Sequence, residues 1–294
     1  MHGFAAKGSE KGASSKDAAA PILRGGSTKS NLETPDEPEL LETIRDSLEQ
    51  SRVDLYLQPI VSLPQRKLRF YEALSRLRSE DGSVIMPAQY IKLAAPAGLM
   101  PVVDHLLLFR CVQIVRRLTQ KQHDIGIFCN ISGDSLIDAE FFPPFLEFMR
   151  GNRDLANQIV FELAQEDMQR AGAEGEASLA SLASLGFALS LDHVETLDFD
   201  FTKLRNLGFR YIKVRAAALT HGDAAVDLKK LFERHGLNLI VERVEDEGTV
   251  RQLLDLGVDY AQGYLFGGPR AVRDDSLRVL ERDALTTIPF RKAG

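Results

Sequence analysis

Phe70-Tyr71-Glu72-Ala73-Leu74-Ser75-Arg76 reads as a short strand, apolar and aromatic, that ends in a carboxylate and a guanidinium. One glutamate at a strand end carries little weight, because most glutamates sit in water. The weight comes from repetition downstream. Strand-like runs end in turn on Asn130, Glu162, Asp192, Lys213, Glu242 and Gln262. A barrel of parallel strands gathers such positions at one mouth.

Immediately before this stretch, Val53 to Val61 alternates and then becomes mostly apolar, and Pro64 to Lys67 supplies a turn. The first two strands therefore form a hairpin, an antiparallel start to the sheet. Pro38 precedes a helix over Glu39 to Gln50, and Pro87 opens another. The helical pattern continues over Leu106 to Leu118. After it, strands and helices alternate. Strands fall at 125–132, 158–163, 187–191, 211–214, 239–244 and 260–266. Helices fall at 141–149, 178–185, 201–207, 224–235 and 249–256, with a last one over Asp275 to Arg282. Alternation of this kind predicts parallel strands with crossover helices. Residues 38–294 approach the roughly 250 residues usual for an eight-stranded barrel. The expectation is an α/β fold closed as a (β/α)8 barrel over 38–294. Residues 1–37, rich in Ala, Gly, Ser and Lys, read as a disordered tail or linker, since they offer too little apolar surface to offset ordering entropy.

The chain has 294 residues, 44% of them hydrophobic, and a net charge of −6. A mildly acidic surface gives no electrostatic reason to expect a nucleic acid polymer or an anionic membrane as partner. It leaves room for a small phosphorylated ligand. The longest apolar run, Val102 to Val115, is broken by Asp104, His105 and Arg110, so no membrane span is expected. The two cysteines, Cys111 and Cys129, form no CxxC pair and read as buried free thiols, which suits a cytoplasmic location.

The strand-end residues form an oxygen-rich set of four carboxylates, two amides and one ammonium. Hard divalent cations such as Mg2+ and Mn2+ favour such ligands. A carboxylate-held metal lowers the pKa of bound water and neutralises phosphate charge. The set points to metal-assisted hydrolysis of a phosphoester. Against this, Glu162 and Asp192 could instead be buried ion-pair partners of Lys213 or Arg76.

Four motifs then carry a resemblance. Glu72-Ala73-Leu74 with Arg76 resembles the E-A-L-x-R signature of the EAL family, the cyclic-di-GMP phosphodiesterases. Gln58-Pro59-Ile60-Val61 resembles its Q-P-I-V, and Asn130-Ile131-Ser132 its N-[IVL]-S. Gln262 to Pro269 is similar to its Q-G-Y-L-F-x-x-P. The resemblance implies a modified TIM barrel with an antiparallel first strand. It implies Glu72, Asn130, Glu162 and Asp192 as ligands of a first metal. Lys213 would sit near the hydrolytic water, and Glu242 would be tied to a second metal. Gln58, Leu74, Arg76, Glu245, Gln262 and Pro269 would line the dinucleotide site. One metal ion, Mg2+ or Mn2+, is expected.

This sequence also departs from the family pattern. The family's D-D-F-G-T-G-Y-S-S reads Asp192-His193-Val194-Glu195-Thr196-Leu197-Asp198-Phe199-Asp200 here. A second-metal aspartate has become His193, and two permissive glycines have become Glu195 and Leu197. E-x-x-E has become Glu162-Leu163-Ala164-Gln165, and E-G-V-E has become Glu242-Arg243-Val244-Glu245. Arg215 stands where the family has Asp. The first-metal set survives while the second does not. The leading expectation is a degenerate EAL barrel that binds cyclic-di-GMP as a receptor and signals to a protein partner. A slow, metal-dependent phosphodiesterase giving linear pGpG is the alternative, and a scaffold without nucleotide the third. The altered loop carries dimer contacts in the family, so a homodimer is an open expectation.

Overall fold

The computed structural model describes residues 36–272, except 122, 195, 197, 198 and 220–222. The tail expected over 1–37 lies outside these residues but for its last two. The helix expected over Asp275–Arg282 and the substituted Glu195 and Leu197 also lie outside them.

Helix α1 (Glu37–Glu49) starts where the Asp36 side chain accepts a hydrogen bond from Glu39 N at 2.9 Å, with proline in its first turn. Strands β1 (Val53–Ser62) and β2 (Lys67–Arg78) form the expected hairpin. A short β3 (Val84–Ile85), α2 (Pro87–Ala94) and α3 (Met100–Gln120) follow. Next come β4 (Gly126–Asn130), α4 (Gly133–Ile137), α5 (Phe142–Gly151), β5 (Ile159–Ala164) and α6 (Gln165–Ser184). Then β6 (Ala188–Asp192), α7 (Phe201–Leu207), β7 (Phe209–Arg215), α8 (Asp223–Arg234) and β8 (Asn238–Glu242) continue the alternation. The described chain ends with α9 (Glu247–Asp255), β9 (Tyr260–Gln262) and β10 (Arg270–Ala271).

Strands β2 and β4 to β9 pair in chain order, each parallel to the next. Strand β1 pairs antiparallel with both β2 and β9 and closes the sheet into an eight-stranded mixed barrel. The expected modified TIM barrel with one antiparallel strand is the fold observed.

Element ends differ from expectation for local reasons. Strand β2 does not stop at Leu74. It runs to Arg78 because β1 remains beside it, down to Val53 opposite Leu77. Glu72 therefore lies inside a strand, near the point where parallel pairing with β4 stops at Ala73 and Cys129. Strand β9 stops at Gln262 instead of Phe266, since Phe266 N and Gly267 N both turn back to Gly263 O at 3.1 Å. Helix α6 begins at Gln165, well before residue 178. Its first half carries Glu, Gly and Ala with no apolar stripe, and it kinks at Gly172, where φ is 55°.

The inward side chains obey the two-residue pleat of a strand. Phe70, Phe128, Val160, Ala188, Tyr211, Ile240 and Tyr260 pack with Ile60 in one apolar cluster inside the barrel. Two residues further along each parallel strand stand Glu72, Asn130, Glu162, Ser190, Lys213, Glu242 and Gln262. On antiparallel β1 the step reverses, from Ile60 to Gln58.

Candidate functional site

That step along the pleat, with one more along β6 to Asp192, builds the site. Lys213 on β7 is fully buried, with Nζ 3.0 Å from Glu72 Oε2, 3.1 Å from Glu162 and 3.8 Å from Asp192 Oδ2. Gln262 Nε2 donates to Glu72 Oε2, and Ser190 Oγ to Glu162 Oε1 at 3.3 Å. Asn130 is turned to its place by donating from Nδ2 to Ala73 O at 3.3 Å. Burial alone would lower the Lys213 pKa, but Asp192, Glu162 and Glu72 outweigh it and hold the ammonium well above the ordinary lysine value. Burial pushes the Glu162 carboxyl well above its usual range; Lys213 opposes the shift, and Asp192 and Glu72 reinforce it. Burial likewise raises Glu242, with Asp192 adding to it.

Glu72, Glu162 and Asp192 each offer an oxygen, all within 4.8 Å of one another. Asp192 Oδ1 is buried and has no hydrogen-bond partner among the described residues. An unpartnered buried carboxylate oxygen is costly, and a hard cation would satisfy it with oxygen ligands of the right kind. The triad fits a divalent metal ion.

Above the triad opens a cleft of about 640 Å³. Of the sequence-predicted residues, Gln58, Glu72, Leu74, Asn130, Asp192, Glu242, Glu245 and Gln262 line it. Glu162 and Lys213 lie buried beneath. Arg76 and Pro269 are not among the residues that line it. Arg76 is buried, its Nη1 donating to Ser75 O at 2.7 Å and its guanidinium 5.3 Å from the Tyr56 ring centroid. Pro269 is half-buried just before β10 and is not part of the cleft wall.

The loops that depart from the family pattern meet at this cleft. His193 and Arg243, the residues after Asp192 and Glu242, have φ of 49° and 59°. Gly263 is required where it stands. A Cβ there would lie 2.0 Å from Val244 O, and Val244 N donates to Gln262 O at 3.0 Å. Gln165, in place of a carboxylate, holds the loop after β6 through Thr196, donating from Nε2 to its O at 3.0 Å and accepting from its N at 3.3 Å.

Sequence reasoning passed over Asp104. From α3 its Oδ2 accepts hydrogen bonds from Ser132 N and Oγ, both at 2.7 Å, and from Ser135 Oγ at 2.6 Å. Burial raises its carboxyl to about 6, although the three hydrogen bonds work against the shift. Its signal was present: a carboxylate between Val103 and Leu106 on an otherwise apolar helix face. Tyr90, whose hydroxyl shares a 2.6 Å hydrogen bond with Ser75 Oγ, and exposed Tyr264 also line the cleft.

The sequence profile of the EAL domain matches residues 41–269. The chain belongs to the EAL domain family. A relative from Shewanella oneidensis, the cyclic di-GMP phosphodiesterase PdeB, is 28% identical over 242 residues, covering 79% of this chain and 28% of that protein. The cyclic di-GMP phosphodiesterase PdeF of Escherichia coli is 22% identical, covering 86% of this chain and 34% of that one. The chain thus spans about a third of these curated relatives. Among solved structures, the FimX EAL domain from Pseudomonas aeruginosa bound to c-di-GMP is 23% identical with a TM-score of 0.67, covering 79% of this chain and 96% of that chain. The EAL enzyme Bd1971 in its cAMP- and cyclic-di-GMP-bound form is 24% identical with a TM-score of 0.69, covering 80% and 66%. These likenesses show a shared fold. No helix among the described residues is long and apolar enough to cross a membrane.

Proposed function

We propose that this EAL barrel binds cyclic-di-GMP in the cleft above the acidic triad and acts as a receptor that passes the signal to a protein partner. The observation that carries the reading is the pairing of a built, metal-fitting triad with an altered rim. Glu72, Glu162 and Asp192 converge, with Asp192 Oδ1 unpartnered. Beside them the position after Asp192 holds an exposed imidazole with left-handed backbone, and Arg215 Nε lies 3.6 Å from Glu242 Oε1. Solved EAL domains of the same fold hold c-di-GMP.

Glu72, Glu162 and Asp192, with Asn130 beside them, would hold one Mg2+ or Mn2+. Such an ion, when bound, supplies charge neutralisation for a phosphate and an acidified water. Lys213 donates to Glu72 and Glu162 and opposes the burial that raises the Glu162 carboxyl. Gln58, Leu74, Gln262 and Tyr264 offer amide, apolar and aromatic surface to a nucleobase.

The second reading is a slow phosphodiesterase giving linear pGpG. Lys213 favours it, because its ammonium sits among all three triad acids. One experiment separates the two. The chain and its Glu72→Ala variant are incubated with cyclic-di-GMP and Mn2+, and pGpG is analysed alongside calorimetric binding. Binding without product supports the receptor. Product from the parent alone makes the chain an enzyme. Neither binding nor product would refute both.

A further inference from the structure

Arg243 occupies a conformation that an L residue adopts at a cost. Its φ of 59° puts it in the left-handed region, where a Cβ crowds the following carbonyl. Four non-glycine residues have positive φ among the described residues, and two of them, His193 and Arg243, line this one cleft. Strain held at a cleft wall suggests use. Yet the exposed Arg243 side chain makes no hydrogen bond or ion pair among the described residues. It faces the cleft with an unspent fork of donors.

Strand β7 lies between β6 and β8, and it ends in Arg215. Arg215 is two residues beyond Lys213, so the pleat aims it to the mouth on the same side. Its side chain is 50% exposed, and Nε stands 3.6 Å from Glu242 Oε1. A half-exposed pair at that distance holds weakly and can be exchanged for a better acceptor. At three neighbouring strand ends, His193 and Arg243 line the cleft and Arg215 stands at its edge beside Glu242. Lys213 is already committed to Glu72 and Glu162 through two of its three Nζ donors and is fully buried.

We infer that Arg243 and Arg215 form an anion-receiving rim that takes a nucleotide phosphate directly, without a second divalent ion. A guanidinium presents paired N–H groups that match two phosphate oxygens. The inference rests on the nucleotide reading of the cleft and adds what holds the phosphate there.

The test is calorimetric binding of cyclic-di-GMP to the full chain, first in EDTA and then with Mg2+, for the parent, Arg243→Gly and Arg215→Ala. The parent is expected to bind in EDTA. Each variant should bind about tenfold more weakly, the loss of one charge-assisted contact. Arg243→Gly should at the same time melt about 2–4 °C higher, because glycine removes the strain. A higher melting point with weaker binding separates a ligand contact from a folding defect. Binding that requires Mg2+, or that Arg243→Gly leaves unchanged, overturns the rim and leaves the nucleotide reading standing. A parent that binds neither in EDTA nor with Mg2+ overturns the nucleotide reading and the rim together.

Discussion

The two ends of the barrel are built from the same strands by the same alternation, and they have opposite chemistry. At the floor, Phe70 meets Phe128, Tyr211 and Tyr260 edge-on, with ring centroids 5.1, 5.5 and 5.7 Å apart. One pleat away, Glu72 meets Lys213 and Gln262. A floor of aromatic rings needs only shape and burial. The mouth needs every charge compensated, since an unpaired ion in that setting costs several kcal/mol. The fold therefore tolerates the mouth because the floor is there to stabilise it.

Removing the buried cation beneath the mouth, Lys213, tests this most severely. Lys213→Met leaves Glu72, Glu162 and Asp192 buried with no countercharge. Without metal, stability should fall by about 3–5 kcal/mol, read by chemical denaturation. The deficit should shrink in acid, because Glu162, with its pKa raised by burial, is then protonated. Added Mn2+ should restore part of it by binding the folded state alone. A variant as stable as the parent in EDTA at neutral pH would show that the triad does not carry the charges assigned to it.

Asp104 gives a second contrast, within the mouth itself. The triad acids have a lysine, whereas Asp104 has only Ser132 and Ser135. Its folded pKa of about 6 lies above the unfolded value near 3.9. A raised acid binds its proton more tightly when folded. Its contribution is therefore most favourable below pH 4, declines as pH rises towards 6 and stays lower above. The change amounts to roughly 3 kcal/mol over that window. Asp104→Asn lacks this group, so the parent-minus-variant stability difference should fall from pH 4 to pH 7. A flat difference would mean that the hydroxyls already compensate the charge.

The triad and Asp104 also mark what the sequence could and could not disclose. The barrel and its inverted first strand were legible, because turns, periods of two and periods of 3.6 are local. The triad was legible for a related reason: Glu72, Glu162, Asp192 and Lys213 recur at strand ends, and strand ends converge in a barrel. A strand pattern gives the face of a side chain but not where a long one bends, so the contacts that hold Arg76, to Ser75 O and the Tyr56 ring, were not legible. Asp104 went unread because its partners lie 28 and 31 residues away. Glu72 looked terminal because pairing partners, not its own neighbours, decide where β2 ends.

The smallest effect is expected at the floor. Phe128 is fully buried, and its ring lies 5.1 Å from both Phe70 and Tyr211. Phe128→Leu removes ring contacts but stays apolar, so it should cost about 1–2 kcal/mol. Phe128 is two residues from Asn130, so the substitution tests whether the pleat isolates the two ends. Denaturation should show the loss, while nucleotide and Mn2+ titrations match the parent. If affinity falls as well, the floor sets the height of the mouth residues. The two ends would then be one mechanical unit, because a barrel strand is stiff enough to carry a shift of packing across a single pleat.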